Sequence, residues 1–403
     1  MKKASIFATT SALVACATSM FVIAACASDD AGNDVETPRE DAGMPSPEPA
    51  SEAGAEAGAE APDTGPCADC EHFSDTCTGE TVCVQEGVDS SYRIHVIRGR
   101  SANDVWAGGA NGTLLHFDGT AWEPSDAATA ETIVSLWLRQ STEVALVSLR
   151  SIHTRGLPFP DAGAPSPGGW TAHGAPPGPS YSSAIQLQGA WAPPGADWLW
   201  CASLDQYALF LPAFARGLWR MRVSPVTGGL EVADAVPLGT CQNFPCGSMT
   251  NIHGASPDTL WAVGLEGATF RITDAQGAAP GIEIFDSRTW SALYGVWAAS
   301  ENDAWSVGGA GTVRHYTGDA RSWEIVDVPT TETLRAVWGS GPNDVWAVGD
   351  RAVVLHYDGN TWTRVKVAGV GKVRPDLYTV WTTSPGHVWI GGDGVLLSLG
   401  GKP

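Results

Sequence analysis

The sequence predicts an all-β chain: a β-propeller of seven four-stranded blades, preceded by a disordered tether and a small Cys-rich segment. Three observations lead there. A Ser…Asn-Asp-x-Trp motif followed by apolar residues and Gly recurs at Trp106, Trp305 and Trp346, with weaker copies at Trp261 and Trp389. From Trp261 onward these anchors are 44, 41 and 43 residues apart, the period of a propeller blade. The 403 residues include 47 Gly, 27 Pro and 18 Trp, a composition hostile to long helices and suited to short strands joined by tight turns.

The repeat at Trp346 shows all four strands. Leu334 to Gly339 (strand a) precedes the Ser-Gly-Pro-Asn-Asp turn, and Val345 to Gly349 (b), Ala352 to Tyr357 (c) and Thr361 to Val367 (d) follow. Asp358-Gly359-Asn360 makes the c–d hairpin, where Asp-Gly supplies the positive φ of a tight turn. Asn and Asp before the anchor Trp suit the a–b turn, because both side chains bond nearby backbone. Degenerate copies near Ala145 and at Trp200 fill the long gap and bring the count to seven. The last repeat stops after strand c, Val395 to Leu399. The β-branched run Thr81 to Val84, upstream of the first repeat, is free to close that blade and remove an open edge.

A second aromatic position lies about eight residues before the anchor: Trp137, Trp191, Trp297, Trp338 and Trp381. A Trp locked to the repeat reads first as packing between blades, and second as an aromatic ligand platform. Arg98 and His253 replace it in blades 1 and 4 and are candidates for a special role. His116, His315 and His356 share one template position at the end of strand c. A position repeated around the ring is scaffold, so no metal site is expected there.

The N-terminus reads as an export address. Lys2 and Lys3 precede an uncharged run that ends in Ile23-Ala24-Ala25-Cys26, the layout of a signal peptide over residues 1–25. Cys16 also follows small residues, but a cut there would strand the apolar run Met20 to Ala25. Residues 26–66 hold eleven acids against one base, Arg39, and almost no large apolar side chain. Such a segment does not repay the entropy of folding and reads as a tether, spanning on the order of 35 Å. The formal net charge of −21 lacks the basic stripe that nucleic acid requires.

Residues 67–91 carry Cys67, Cys70, Cys77 and Cys83. Four thiolates on a short segment could hold zinc, but in an exported chain two disulfides are the expectation, with the pairing open. Cys241 and Cys246 bound a short loop and form a possible third disulfide, which leaves Cys201 as a buried thiol.

The SxNDVWAVG…HYDGxxW repeat resembles that of exported lipoproteins of myxobacteria and related GC-rich bacteria, and is distantly similar to the Asp-box repeats of sialidase-like propellers. The likeness covers residues 92–403. With the Ile-Ala-Ala-Cys lipobox it implies acylation of Cys26, a membrane partner through that lipid, and by analogy an outer-membrane address. The hairpin Asp358-Gly359-Asn360-Thr361-Trp362 departs from Asp-box spacing, and no arginine triad of a sialidase site is visible.

Three function classes follow. The first is a non-enzymatic scaffold binding an envelope protein or glycan. The second is a glycan hydrolase or lyase, which would need two carboxylates about 5–10 Å apart at a channel mouth. The third is a structural spacer, which would show no ligand-sized groove. No cofactor and no catalytic residue is expected. The candidate binding loop is on blade 3, where Tyr207, Phe210 and Phe214 occupy a long b–c connection and Phe244 the d–a connection on the same face.

Overall fold

The computed structural model describes residues 69–157, 163–179, 185–205, 216–236, 246–318 and 320–401. Among them lie six four-stranded antiparallel sheets, over residues 94–124, 135–173, 185–234, 249–284, 293–326 and 334–364, and a seventh sheet of six strands. No described helix is long and apolar enough to cross a membrane. The first strands of successive sheets touch one another in order around a ring: Ile94–Ser101, Ser135–Arg139, Ile185–Trp191, Met249–His253, Leu293–Ser300, Leu334–Gly341, Leu377–Ser384, then Ile94–Ser101 again. Strand a is therefore the inner wall of a β-propeller. The seven-by-four expectation holds for six sheets, and the seventh is larger than four strands.

That seventh sheet joins the two ends of the ring. Leu377–Ser384, His387–Gly392 and Val395–Leu399 are followed by Val82–Val84, antiparallel to Val395–Leu399. Val82–Val84 is not outermost: Val367–Ala368 pairs with it in parallel, and Phe73–Ser74 pairs beyond. Val82 is fully buried beside Val367 and Leu397. Phe73 at the edge is covered by the Arg374 guanidinium, 3.5 Å from the ring centroid.

Backbone bonds at the b–c turns stitch blade to blade. Ala110 N–H donates to Arg93 O at the start of its own blade, and Gly112 N–H to Glu131 O in the connection to the next, both at 2.9 Å. Gly309 and Gly311 repeat the pair with Ala292 and Glu332, and Asp350 and Ala352 with Thr333 and Pro375. The turn needs two successive left-handed residues, here Asn111-Gly112, Glu266-Gly267, Ala310-Gly311 and Arg351-Ala352. Glycine suits the second place because a Cβ on Gly112, Gly267 or Gly311 would drive into a threonine carbonyl of the adjoining connection. These bonds also show that b–c and d–a connections share one end of the ring.

Blade 2 corrects the sequence alignment by one residue. Trp137 pairs with Val144, not with Ala145. In blades 1, 5, 6 and 7 the a–b hairpin carries a bulge, as between Gly99 and Ser101. In blade 2, Arg139 and Thr142 pair directly around a two-residue turn, so the repeat is one residue shorter there.

Candidate functional site

The repeated polar residues form clusters within each blade. His Nε2 meets Asp Oδ1 in His116–Asp104 (2.9 Å), His315–Asp303 (2.8 Å) and His356–Asp344 (2.7 Å). The same imidazoles stack on Trp106, Trp305 and Trp346, with centroids 4.2, 3.8 and 4.2 Å apart. The Asn-Asp-x-Trp turn and the His-Tyr-Asp-Gly hairpin are thus halves of one cluster, which is scaffold. Burial pushes the Asp104 and Asp344 carboxyls up, but the bonds from His116 and Arg100, and from His356, Ser340 and Trp346, outweigh it and hold both below the usual carboxylate range. Among the described residues no three His, Cys, Asp or Glu side chains gather as a metal site.

The special positions lie on strand a. Opposite the anchors sit Arg98, Trp137, Trp191, His253, Trp297, Trp338 and Trp381, one from each blade. The packing reading of this ring is seen directly. Trp297 and Trp381 press onto Gly339 and Gly99 of the following blade, where a Cβ would collide with the indole. The same ring also lines a cavity of about 400 Å³ that opens at the a–b turns.

Trp338 closes the floor of that cavity. It packs against core residues of several blades, and its Nε1–H donates to Thr382 O at 3.2 Å. Arg98 lies over it, 4.6 Å from the ring centroid, and the His253 ring meets it edge-on at 4.8 Å. Burial pulls the Arg98 guanidinium down to about 10, which still leaves it protonated at neutral pH. His253 is held well below its usual value by burial and by the Arg98 charge, and its Nδ1 accepts the Ala298 N–H at 3.1 Å.

On the far side of Trp338 the channel opens at the b–c and d–a end through a cavity of about 280 Å³. Its rim was not legible in the repeat. Six of the seven a strands carry a one-residue irregularity, at His95, Gln188, Thr250, Tyr294, Arg335 and Tyr378. A bulge re-aims a side chain out of the alternation, and all six residues line the mouth, Thr250 being buried there with its hydroxyl bonded to Val263 O and Leu293 O. The signal was present as a large aliphatic, then a polar or aromatic residue, then Gly or another small residue, as in Leu293-Tyr294-Gly295. Tyr378 stacks on His95 (5.0 Å) and donates to Asp393 at 2.9 Å, and Arg335 pairs with Asp350. Trp290, in the connection from blade 4 to blade 5, is 88% exposed at this end.

No Asp or Glu lines either cavity, so the paired carboxylates of glycoside hydrolysis are not assembled in the channel among the described residues. The spacer reading expected no ligand-sized groove, and a cavity of about 400 Å³ is present.

Cys26, Cys67 and Cys241, and the aromatics Tyr207, Phe210, Phe214 and Phe244, lie outside the described residues. The ends of the two blade 3 connections are described and held together: Leu204 bridges Ser248, and Asp205 N–H donates to Gly247 O at 2.9 Å. Cys77 and Cys83 form a disulfide, which removes two thiolates from any zinc site, and Cys70 and Cys246 are also disulfide-bonded. Cys201 is a free buried thiol that burial pushes up to about 12.

No family model matches the sequence, and no curated protein matches it significantly. Solved propellers match the fold. YCF48 bound to D1 peptide aligns with a TM-score of 0.55 at 18% identity, covering 79% of this chain and 95% of that one. YCF48 from Cyanidioschyzon merolae gives 0.55 at 15% identity, covering 79% and 98%. The WD40 β-propeller domain of Doa1 gives 0.54 at 10% identity, covering 81% and 96%. These likenesses define the class, a β-propeller.

Proposed function

We propose that the protein is an exported, lipid-anchored component of the cell envelope, held in the outer membrane by acylated Cys26, whose propeller is a non-enzymatic protein-binding scaffold. The partner docks on the b–c and d–a end. The observation that carries this reading is the bulge ring: His95, Gln188, Tyr294, Arg335 and Tyr378 are re-aimed out of the strand alternation and differ from blade to blade. A position that varies on an invariant frame is where recognition is built. Trp290 extends the surface, and the blade 3 connections that carry Tyr207, Phe210, Phe214 and Phe244 start and end on it. The propeller neighbours, one of them bound to a peptide, support protein recognition over glycan recognition.

A photo-crosslinking residue at Tyr294 or Tyr378 tests the docking face in cells, with exposed Val226 as control. A discrete protein adduct from 294 and 378, absent from 226, is expected, and no adduct from either refutes it. Phe210→Ser with Phe214→Ser should weaken capture at an unchanged melting temperature. Cys26→Ser should abolish labelling by a palmitate analogue and release the protein from membranes.

A further inference from the structure

The cavity at the a–b end shares Arg98 and Trp338 with the cavity at the docking end, but none of the docking residues His95, Gln188, Tyr294, Arg335 and Tyr378 lines it. We propose that it is a binding site for a small organic anion: a carboxylate carried on a planar or aliphatic apolar body, with Arg98 as the carboxylate-binding residue and the tryptophans as its walls.

Five of the seven side chains that ring the cavity are Trp, and Trp137, Trp191, Trp297 and Trp381 are each less than a tenth exposed, so their positions are fixed before any ligand arrives. Preformed apolar walls with few polar groups are the usual construction of a small-molecule site, and about 400 Å³ falls within the size range of such sites. Arg98 is the one cation among the residues that line it. Among the described residues no carboxylate lies within 4 Å of Arg98, although the chain carries 44 acids against 23 bases. Among the described residues its one hydrogen bond is from Nη1 to the adjacent Ile97 carbonyl, at 2.8 Å. Every other arginine facing the channel is matched: Arg335, at the opposite mouth, has Asp350.

A guanidinium largely out of water and, among the described residues, without a counter-ion is costly to keep, and a bound anion would offset that cost. Arg98 also stands where five other blades have Trp, so packing the ring does not explain it. The fork of a guanidinium matches a carboxylate in two bonds. His253 reinforces the sign. With Nδ1 accepting the Ala298 N–H, the neutral ring carries its proton on Nε2 and offers no free acceptor. The cavity thus presents donors and π-faces, and no carboxylate. A cationic ligand would be opposed by Arg98, and a neutral apolar one would leave its charge unmatched.

Calorimetric titration of the full chain at low salt tests the proposal, with phenylacetate, phenylacetamide and phenethylamine as probes of one size and three charges. Saturable binding of phenylacetate is expected. Phenylacetamide should bind about tenfold or more weakly, as loss of a charge-assisted bond implies, and phenethylamine should not bind. Arg98→Gln should bring phenylacetate down to the amide's level, while Arg98→Lys should recover part of the difference. Equal binding of acid and amide by the natural chain overturns the role of Arg98 whether or not the variants fold. Absence of binding by all three probes at millimolar concentration overturns the site. An acetylated tripeptide ending in Phe with a free carboxylate is the remaining arm. If it binds tenfold tighter than phenylacetate, the site takes a polypeptide terminus and the small-ligand assignment falls. None of these outcomes bears on crosslinking from Tyr294, so the two readings fail separately.

Discussion

Replacing Val82 by Ala tests whether the upstream strand holds the ring shut. Val82 has no exposed surface and packs with Val367, Leu397, Val354 and Trp346. Its strand is tied at both ends: Val82 N–H donates to Lys366 O at 2.9 Å, and Gln85 N–H to Leu396 O at 2.8 Å. The substitution keeps those backbone bonds and deletes two methyl groups. Their transfer is worth about 1.6 kcal/mol at ~0.8 kcal/mol per buried carbon. The space left adds on the order of 1 kcal/mol. A loss of about 2–3 kcal/mol corresponds to roughly 4–8 °C in a domain of this order of size. Thermal unfolding followed by tryptophan emission reads it, against Val226→Ala, where the side chain is 90% exposed and the expected change is near zero. If Val82→Ala melts within about 1 °C of Val226→Ala, the strand decorates the sheet without closing it, and the reasoning fails.

Three further outcomes follow from the same structure. Asp344→Asn removes the charge and one of the two acceptor oxygens that serve His356, Trp346 and Ser340 and should cost about 1–3 kcal/mol at pH 7. The folded carboxyl is held below its unfolded value, so its contribution is complete above about pH 4 and is lost as pH falls through the folded value. Melting curves of the natural chain and the variant should therefore converge in acid. Gly311→Ala puts a Cβ on a left-handed residue against the Thr330 carbonyl and should destabilise by about 1–2 kcal/mol or more. Ala352→Gly, at the equivalent residue with φ of 56°, should be neutral or slightly stabilising in the same denaturant titration. Cys201 should resist iodoacetamide in the folded protein and react once guanidinium unfolds it, because burial keeps the thiol protonated.

The blades were legible because their signals are local. Asn-Asp before Trp, and Asp-Gly after His-Tyr, are turn chemistry within a few residues, and their period is fixed by four strands of near-constant length. The Arg98 and His253 departures were visible because a repeat makes exceptions conspicuous. What they face was not visible, since one repeat position encloses the a–b cavity only when the blades from residue 98 to residue 381 close into a ring. The rim formed by Tyr294, Arg335 and Tyr378 was hidden for a different reason. A bulge is a one-residue mismatch between two strands, and it appears only when the pairing of Leu293 with Gly308 and of Gly295 with Val307 is known. The same blindness misplaced the blade 2 anchor, where a hairpin without its bulge shifts the register by one.

The seam in the last sheet sets a timetable. Gln85 reaches Ser398 across 313 positions of chain, so Val82–Val84 must wait for its antiparallel partner Val395–Leu399. Every blade between them is able to pair its hairpins as it emerges, but the circle itself does not shut until Val395–Leu399 arrives. Contacts between distant parts of a chain form slowly, and an unpaired strand edge invites aggregation while it waits. A truncated product lacking Val395–Leu399 would leave Val82–Val84 without its antiparallel partner, and would be recognisable to proteases as unfinished however complete its other blades. Closure of the ring is thereby reported at one sheet.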